Sequence, residues 1–242
     1  NRAIHFKDGP ALVIAGPGSG KTTVIVNRVY NLIIKHSIKP SSILVITFTK
    51  AAAVSMKERF MSLEGSLNVP VTFGTFHAVF FTILRHAYNY SVNSIITRDL
   101  QYNFIRDKLI SFELEYSDEN EMVNSILSQI SKVKNDCLNI DEYISTACPD
   151  ETFRIIYKEY GKMLISRRLI DYDDMVVLCN ELLTQRADYK AAWQDKYKYI
   201  LIDEFQDINK MQFDTIKLIA GDSANIFAVG DDDQSIYGFR GS

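Results

Sequence analysis

Three aliphatic residues, Leu12, Val13 and Ile14, run directly into Ala15-Gly16-Pro17-Gly18-Ser19-Gly20-Lys21-Thr22, and no other stretch limits the possible folds so sharply. A short apolar strand, a glycine-rich turn and a helix beginning near Lys21 form the local architecture of a phosphate-binding loop. Glycine lets backbone N–H groups turn toward an anion with no Cβ in the way. The first amides of the helix add the positive end of its dipole. In such a loop Lys21 neutralises the β- and γ-phosphates, and the Thr22 hydroxyl joins the coordination shell of Mg²⁺. Ala15 stands where the strict pattern has glycine, and a small residue still fits there.

A second apolar run, Tyr199-Ile200-Leu201-Ile202, ends at Asp203 and Glu204. Open α/β sheets bind ligands outside the carboxyl ends of their strands, which is where these acids fall. Asp203 is suited to hold Mg²⁺, directly or through water. Glu204, pointing the other way along the strand, is placed to orient and deprotonate an attacking water. An isolated Asp-Glu pair is more often a solvated helix start, but Phe205-Gln206-Asp207 behind it and the glycine-rich loop upstream reverse that balance. The two motifs together imply hydrolysis of a nucleoside triphosphate.

Ile202-Asp203-Glu204-Phe205-Gln206-Asp207 resembles the Walker B segment of superfamily I DNA helicases of the UvrD, Rep and PcrA type, and four further segments agree in order and spacing. Ile43 to Thr47, continuing Phe48-Thr49-Lys50-Ala51-Ala52-Ala53, resembles the first DNA-contacting motif of that family. Thr75-Phe76-His77 resembles the next, and Ile170-Asp171-Tyr172-Asp173-Asp174-Met175 the acidic segment that precedes Walker B. Val229-Gly230-Asp231-Asp232-Asp233-Gln234-Ser235-Ile236-Tyr237-Gly238-Phe239-Arg240-Gly241 resembles the motif that couples ATP to DNA, and it is the most specific of the set.

The resemblance implies an ATP-dependent DNA helicase motor that walks 3′ to 5′ on single-stranded DNA, unwinds duplex at single/double-strand junctions, and serves DNA repair or replication. Glu204, Gln234 and Lys21 would be catalytic. ATP would be held by Ala15, Gly16, Pro17, Gly18, Ser19, Gly20, Lys21, Thr22, Thr23, Gln234 and Arg240, and Mg²⁺ by Thr22 and Asp203. Thr47, Phe48, Thr75, Phe76, His77, Tyr237 and Phe239 would line the DNA, the aromatic rings stacking on bases. Two departures stand out: Phe239 replaces a frequent tryptophan, and Thr23 replaces an arginine often found against adenine. The alternatives are the motor of a helicase-nuclease or translocase subunit, and a DNA-binding regulatory module with a vestigial ATPase. The chain stops just after the coupling motif and lacks the glutamine that reads adenine in the family. ATP·Mg binding with little hydrolysis and no unwinding is therefore expected of these residues alone, because a second motor domain supplies the arginines that reach the γ-phosphate.

With 242 residues, 47% of them hydrophobic, the chain can bury one sizeable core and an insertion. No run approaches the roughly 18 consecutive apolar residues of a membrane span, and no signal peptide is visible, so a cytoplasmic monomer is expected. Cys137, Cys148 and Cys179 are odd in number and lack metal-ligand spacing, which implies free thiols. The net charge of 27 − 30 = −3 does not mark a nucleic-acid binder, although a local groove would suffice for one.

Strands are predicted at 11–15, 43–47, 71–75, 199–203 and 224–229, each β-branched or aliphatic and followed by a helical pattern or polar turn. The fold class is α/β: a RecA-like P-loop NTPase parallel sheet with helices on both faces. Three helical stripes interrupt it: Leu100, Phe104, Ile105 and Leu109; Met122, Val123, Ile126, Ile130 and Val133; Phe153, Ile156, Tyr157, Tyr160 and Leu164. The predicted organisation is residues 1–90 and 169–242 as two parts of one motor domain, with 91–168 an inserted all-helical subdomain.

Overall fold

The structure, a computed structural model, describes residues 2–16, 18–63, 69–222 and 225–231. In chain order it forms α1 (Arg2–His5), β1 (Ala11–Ile14), α2 (Lys21–Ile34), β2 (Ile43–Thr47), α3 (Lys50–Met61), β3 (Thr72–Thr75) and α4 (Phe76–Tyr88). There follow α5 (Arg98–Ser111), α6 (Glu119–Asn135), α7 (Asp150–Arg167), α8 (Tyr172–Gln185), α9 (Ala187–Lys196), β4 (Tyr199–Ile202), α10 (Lys210–Ala220) and β5 (Asn225–Gly230). Two compact units emerge: Asn1–Ile83 with Cys179–Ser242, and Leu84–Leu178.

The first unit is built on a five-stranded sheet in the order β1-β5-β4-β2-β3, with every pairing parallel. Its strands lie where the aliphatic runs predict them, differing by about one residue at the ends, the usual uncertainty of a strand boundary. Alternation of side chains across the pleat divides the sheet residues between two layers. Ile43, Val45, Tyr199, Leu201, Phe227 and Val229 pack with Ile25, Val26, Val29 and Leu32 of α2 and with Met56 and Phe60 of α3. The intervening Leu44, Ile46, Ile200 and Ile202 are equally buried, so the opposite face is covered too. There, Phe213 and Lys217 of α10 line one cavity with Ile226 and Ala228 of β5. Each fully buried aliphatic side chain contributes about 1.5–3 kcal/mol, so the two layers dominate the stability of this unit. The two edge strands are less buried: β3 is half-buried throughout, and in β1 Leu12 and Ile14 are exposed although the run reads as uniformly apolar, Leu12 lining the same cavity.

Local signals start the helices. Thr49 caps α3 by accepting from the Ala52 amide, and Asn209 with Gln212 forms a reciprocal capping box at α10.

The second unit is helical. The three predicted stripes meet in one core, in which Ile105, Leu109, Val123, Ile126, Ile130, Val133, Phe153, Ile156, Tyr160 and Leu164 are buried. Asp118 caps α6 through the Glu121 amide, as expected for a polar turn opening a helix. At one edge of this core lies a buried ionic cluster. Lys134 Nζ donates at 2.7 Å to both Asp171 and Asp174. The Tyr160 hydroxyl donates to Asp171 at 3.1 Å while accepting from Gln101 at 2.7 Å. Asp171 and Asp174 also exchange backbone hydrogen bonds that begin α8. The acidic segment that precedes Walker B in the resemblance is thus tied to α6 by a lysine 37 residues upstream. Burial, reinforced by Asp171, raises the Asp174 carboxyl to about 6 despite Lys134.

Replacing Lys134 with methionine would leave two buried carboxylates facing each other, and should cost about 3–5 kcal/mol of stability at neutral pH. A carboxyl with a raised folded-state pKa keeps a proton that the unfolded chain releases, so its stabilisation is present at low pH and fades as pH rises. The Lys134→Met deficit should therefore shrink as pH falls from 7 through about 6, the value to which Asp174 is raised. Urea denaturation at both ends of that range checks this; a deficit that is constant or grows with acid would count against it.

Candidate nucleotide-binding site

Parallel pairing brings the carboxyl ends of β1, β5 and β4 side by side, and the loop leaving each carries polar residues. After β1 the ladder runs one residue further, the Ala15 amide donating to the Gly230 carbonyl at 3.0 Å. The chain then turns through Gly18 (φ 69°) and Gly20 (φ 88°), conformations that favour glycine, and enters α2 at Lys21. A Cβ placed on Gly16 or Gly18 would meet nothing within 4 Å, so the space in front of the loop is open to a ligand. Thr22 is half-buried in the first turn of α2, while Ser19 and Thr23 are exposed. Pro17 lies outside the described residues.

Lys21 carries the charge that this loop offers. Its Nζ lies 3.3 Å from Asp231 Oδ2 at the end of β5 and 3.6 Å from Glu204 Oε2 beyond β4. Asp203, the residue after β4, is 4% exposed, and its buried Oδ1 has no hydrogen-bond partner among the described residues. Burial, with the neighbouring Glu204 charge adding to it, raises the Asp203 carboxyl to about 6 against the pull of Lys21. Keeping Asp203 ionised at neutral pH costs roughly 3 kcal/mol. Asp207 shows the same pattern, with one buried oxygen unpaired and its carboxyl raised by burial and by Glu204.

Glu204 differs from the sequence expectation. Its side chain does not simply alternate to the other face of an extended strand, because the backbone turns left-handed there (φ 52°, ψ 51°). For a residue with a Cβ that conformation costs about 1–3 kcal/mol and persists only where the surroundings enforce it. Here the turn is closed by the Asp207 amide on the Glu204 carbonyl at 3.0 Å. The result swings the carboxylate toward Lys21, and Oε2 accepts from Gln206 Nε2 at 2.9 Å. Gln206 Oε1 in turn accepts from the Asp231 amide at 2.9 Å.

The donor set fits a magnesium ion arriving with a nucleotide. Lys21 pairs with Glu204 and Asp231, and Asp203 and Asp207 each present a buried oxygen with no partner among the described residues. Among the described residues no group of three or more His, Cys, Asp and Glu side chains is spaced as a metal cage.

The expected DNA-facing residues collect at the next two strand ends, since Thr47 of β2 pairs in register with Thr75 of β3. Phe48 and His77 are half-buried, and the Thr75 hydroxyl accepts from the Ala78 amide at 3.3 Å. One expectation needs correction. Phe76 is 2% exposed and packs on Phe80, which leaves no ring face for a base, because its helix position faces the core. Thr47 is equally buried, and its hydroxyl has no partner among the described residues. Gln234, Tyr237, Phe239 and Arg240 lie outside the described residues. Sequence reasoning did not single out Asp231 and Gln206, although both stand inside quoted motifs; only the tertiary pairing of β4 with β5 reveals what they touch.

The family model described as the UvrD/REP helicase N-terminal domain matches residues 1–242. Over 250 residues the chain is 37% identical to the ATP-dependent DNA helicase Rep of Buchnera aphidicola subsp. Baizongia pistaciae, covering 100% of this chain and 36% of that protein. It is 34% identical to the ATP-dependent DNA helicase Rep of Escherichia coli K12, covering 100% of this chain and 36% of that one. The ATP-dependent DNA helicase PcrA of Leuconostoc citreum is also 34% identical, covering 99% and 33% respectively. The chain thus spans about a third of the length of these relatives.

Because the cost of ionising Asp203 in isolation falls on the ligand-free state, Asp203→Asn should stabilise that state by about 1–3 kcal/mol. The same variant should lose Mg²⁺-dependent nucleotide binding. Chemical denaturation and fluorescent-nucleotide titration with and without Mg²⁺ test the two halves, and retained Mg²⁺ dependence would remove Asp203 from the metal site.

Proposed function

The chain belongs to the UvrD/REP helicase N-terminal domain family, and from that premise we propose that it is the ATP-hydrolysing motor domain of a DNA helicase. In the reading we favour, the enzyme acts in the cytoplasm, translocates 3′ to 5′ on single-stranded DNA and opens duplex at junctions during repair or replication. The observation that carries the proposal is the convergence of Lys21, Glu204 and Asp231 from three adjacent strand ends, within 3.6 Å of one another through the lysine. Among the described residues no helix is long and apolar enough to cross a membrane.

Each residue then has a task. The amides of 18–22 at the N-terminus of α2 receive the phosphate chain, and Lys21 leaves its carboxylate partners to neutralise the β- and γ-oxygens. Asp203 and Thr22 would hold Mg²⁺, which supplies charge neutralisation across the β- and γ-phosphates when bound. Glu204 orients a water in line with the γ-phosphorus and accepts its proton on the carboxylate. Gln234 senses the γ-phosphate, while Tyr237 and Phe239, three and five residues on, stack on bases together with Phe48. Thr75 and His77 contact the DNA backbone. A second motor domain, beyond residues 1–242 and supplying arginines to the γ-phosphate, completes the site. Leu84–Leu178 is a helical insertion within the motor.

ATP hydrolysis by the full-length protein with and without single-stranded DNA tests this. We expect DNA to raise kcat at least tenfold, and Glu204→Gln to lower the stimulated kcat by about 10²–10⁴ with nucleotide binding retained. Hydrolysis indifferent to DNA would leave the phosphate site standing and sink the helicase reading.

A further inference from the structure

Gln206 has no task in the reaction above, yet its carboxamide connects the Glu204 carboxylate to the chain leaving β5. Nε2 donates to Glu204 Oε2 at 2.9 Å and lies 3.5 Å from Asp207 Oδ2; Oε1 accepts from the Asp231 amide at 2.9 Å. The orientation of the amide follows from its partners, because carboxylates only accept and a backbone N–H only donates. Reversing it would oppose acceptor to acceptor at one end and donor to donor at the other.

The approach is close enough that a side chain at 230 would crowd Gln206. A Cβ there would lie 3.0 Å from Gln206 Oε1 and 3.2 Å from Phe205 Cβ. On the other side, the turn Phe205–Asp207 is closed by the Asp207 amide on the Glu204 carbonyl at 3.0 Å and by the Ile208 amide on the Phe205 carbonyl at 3.3 Å, which holds Gln206 close to Glu204. Lys21 also spans Glu204 and Asp231, but its charge is claimed once a triphosphate enters. The Gln206 link to a backbone amide survives that change.

We infer that Gln206 is a positioning residue that sets the Glu204 carboxylate according to where the chain holds Asp231. This rests on the motor reading above, in which the segment after Asp231 carries the DNA-stacking Tyr237 and Phe239. A base misplaced by about 1 Å can lose on the order of 10²-fold in rate. A shift of Asp231 of that size, passed through one amide, is enough to switch hydrolysis with DNA occupancy.

The test compares Gln206→Leu, Gln206→Glu and Glu204→Gln in the full-length protein, using ATP and an oligothymidine as the DNA. Gln206→Leu removes both arms; Gln206→Glu keeps size and the acceptor for Asp231 but places a second anion against Glu204. Both should lower the DNA-stimulated kcat about 10–100-fold, reduce the unstimulated rate less, and change the KM for ATP and the oligothymidine Kd less than about 3-fold. Wild-type stimulation in the isosteric Gln206→Glu would overturn the inference even if Gln206→Leu fails to fold. So would a loss carried equally by KM, Kd and kcat, which marks a structural role. Stimulation that survives in Glu204→Gln would overturn the motor reading itself, a result separable from either of these.

Discussion

The hydrogen bond from the Ala15 amide to the Gly230 carbonyl prolongs the β1–β5 ladder past the last strand residue, and the site depends on that added rung. It fixes the start of the glycine-rich loop against the end of β5. A matching bond, from Asp203 N to the Ile46 carbonyl, fixes the end of β4 against β2. Because all strands run the same way, every loop at this edge follows a strand rather than precedes one, and their polar residues accumulate on one side. Lys21 and Asp231, 210 residues apart in the chain, meet at 3.3 Å as a result.

That crowding sets the electrostatics. Asp203 and Asp207 are buried beside Glu204, each with an oxygen that has no partner among the described residues. Unpaired buried acceptors are costly, so this cluster carries strain. The left-handed backbone at Glu204 adds to it. In the helical unit a comparable density of charge is resolved internally, because Lys134 reaches both Asp171 and Asp174 and Tyr160 satisfies a further lone pair. One acidic cluster is neutralised within its own unit, while the other keeps buried oxygens without partners among the described residues.

Much of this was legible before any coordinates. The aliphatic runs at 11–14, 43–47 and 199–202 announced strands because β-branched and aliphatic residues in short blocks have few other uses. The three helical stripes of 99–168 named their own core, since a 3.6-residue period leaves one face to bury. Lys21, Asp203 and Glu204 stood out because their chemistry is specific and their positions follow strands. Phe76 misled for the opposite reason. A motif string says which residues travel together, and not which of them face the core.

The sequence alone therefore determined the elements, the parallel class of the sheet and the identity of the charged residues at its edge, all of which depend on local periodicity and side-chain chemistry. Only the tertiary structure decided the strand order, and with it that Asp231 lies against Lys21, that Gln206 bridges Glu204 to the chain leaving β5, and that a Cβ at Gly230 would crowd Gln206 and Phe205. Those facts are distances between residues far apart in the chain. They are set by how two layers of helices close over the sheet, and no run of neighbouring residues encodes them.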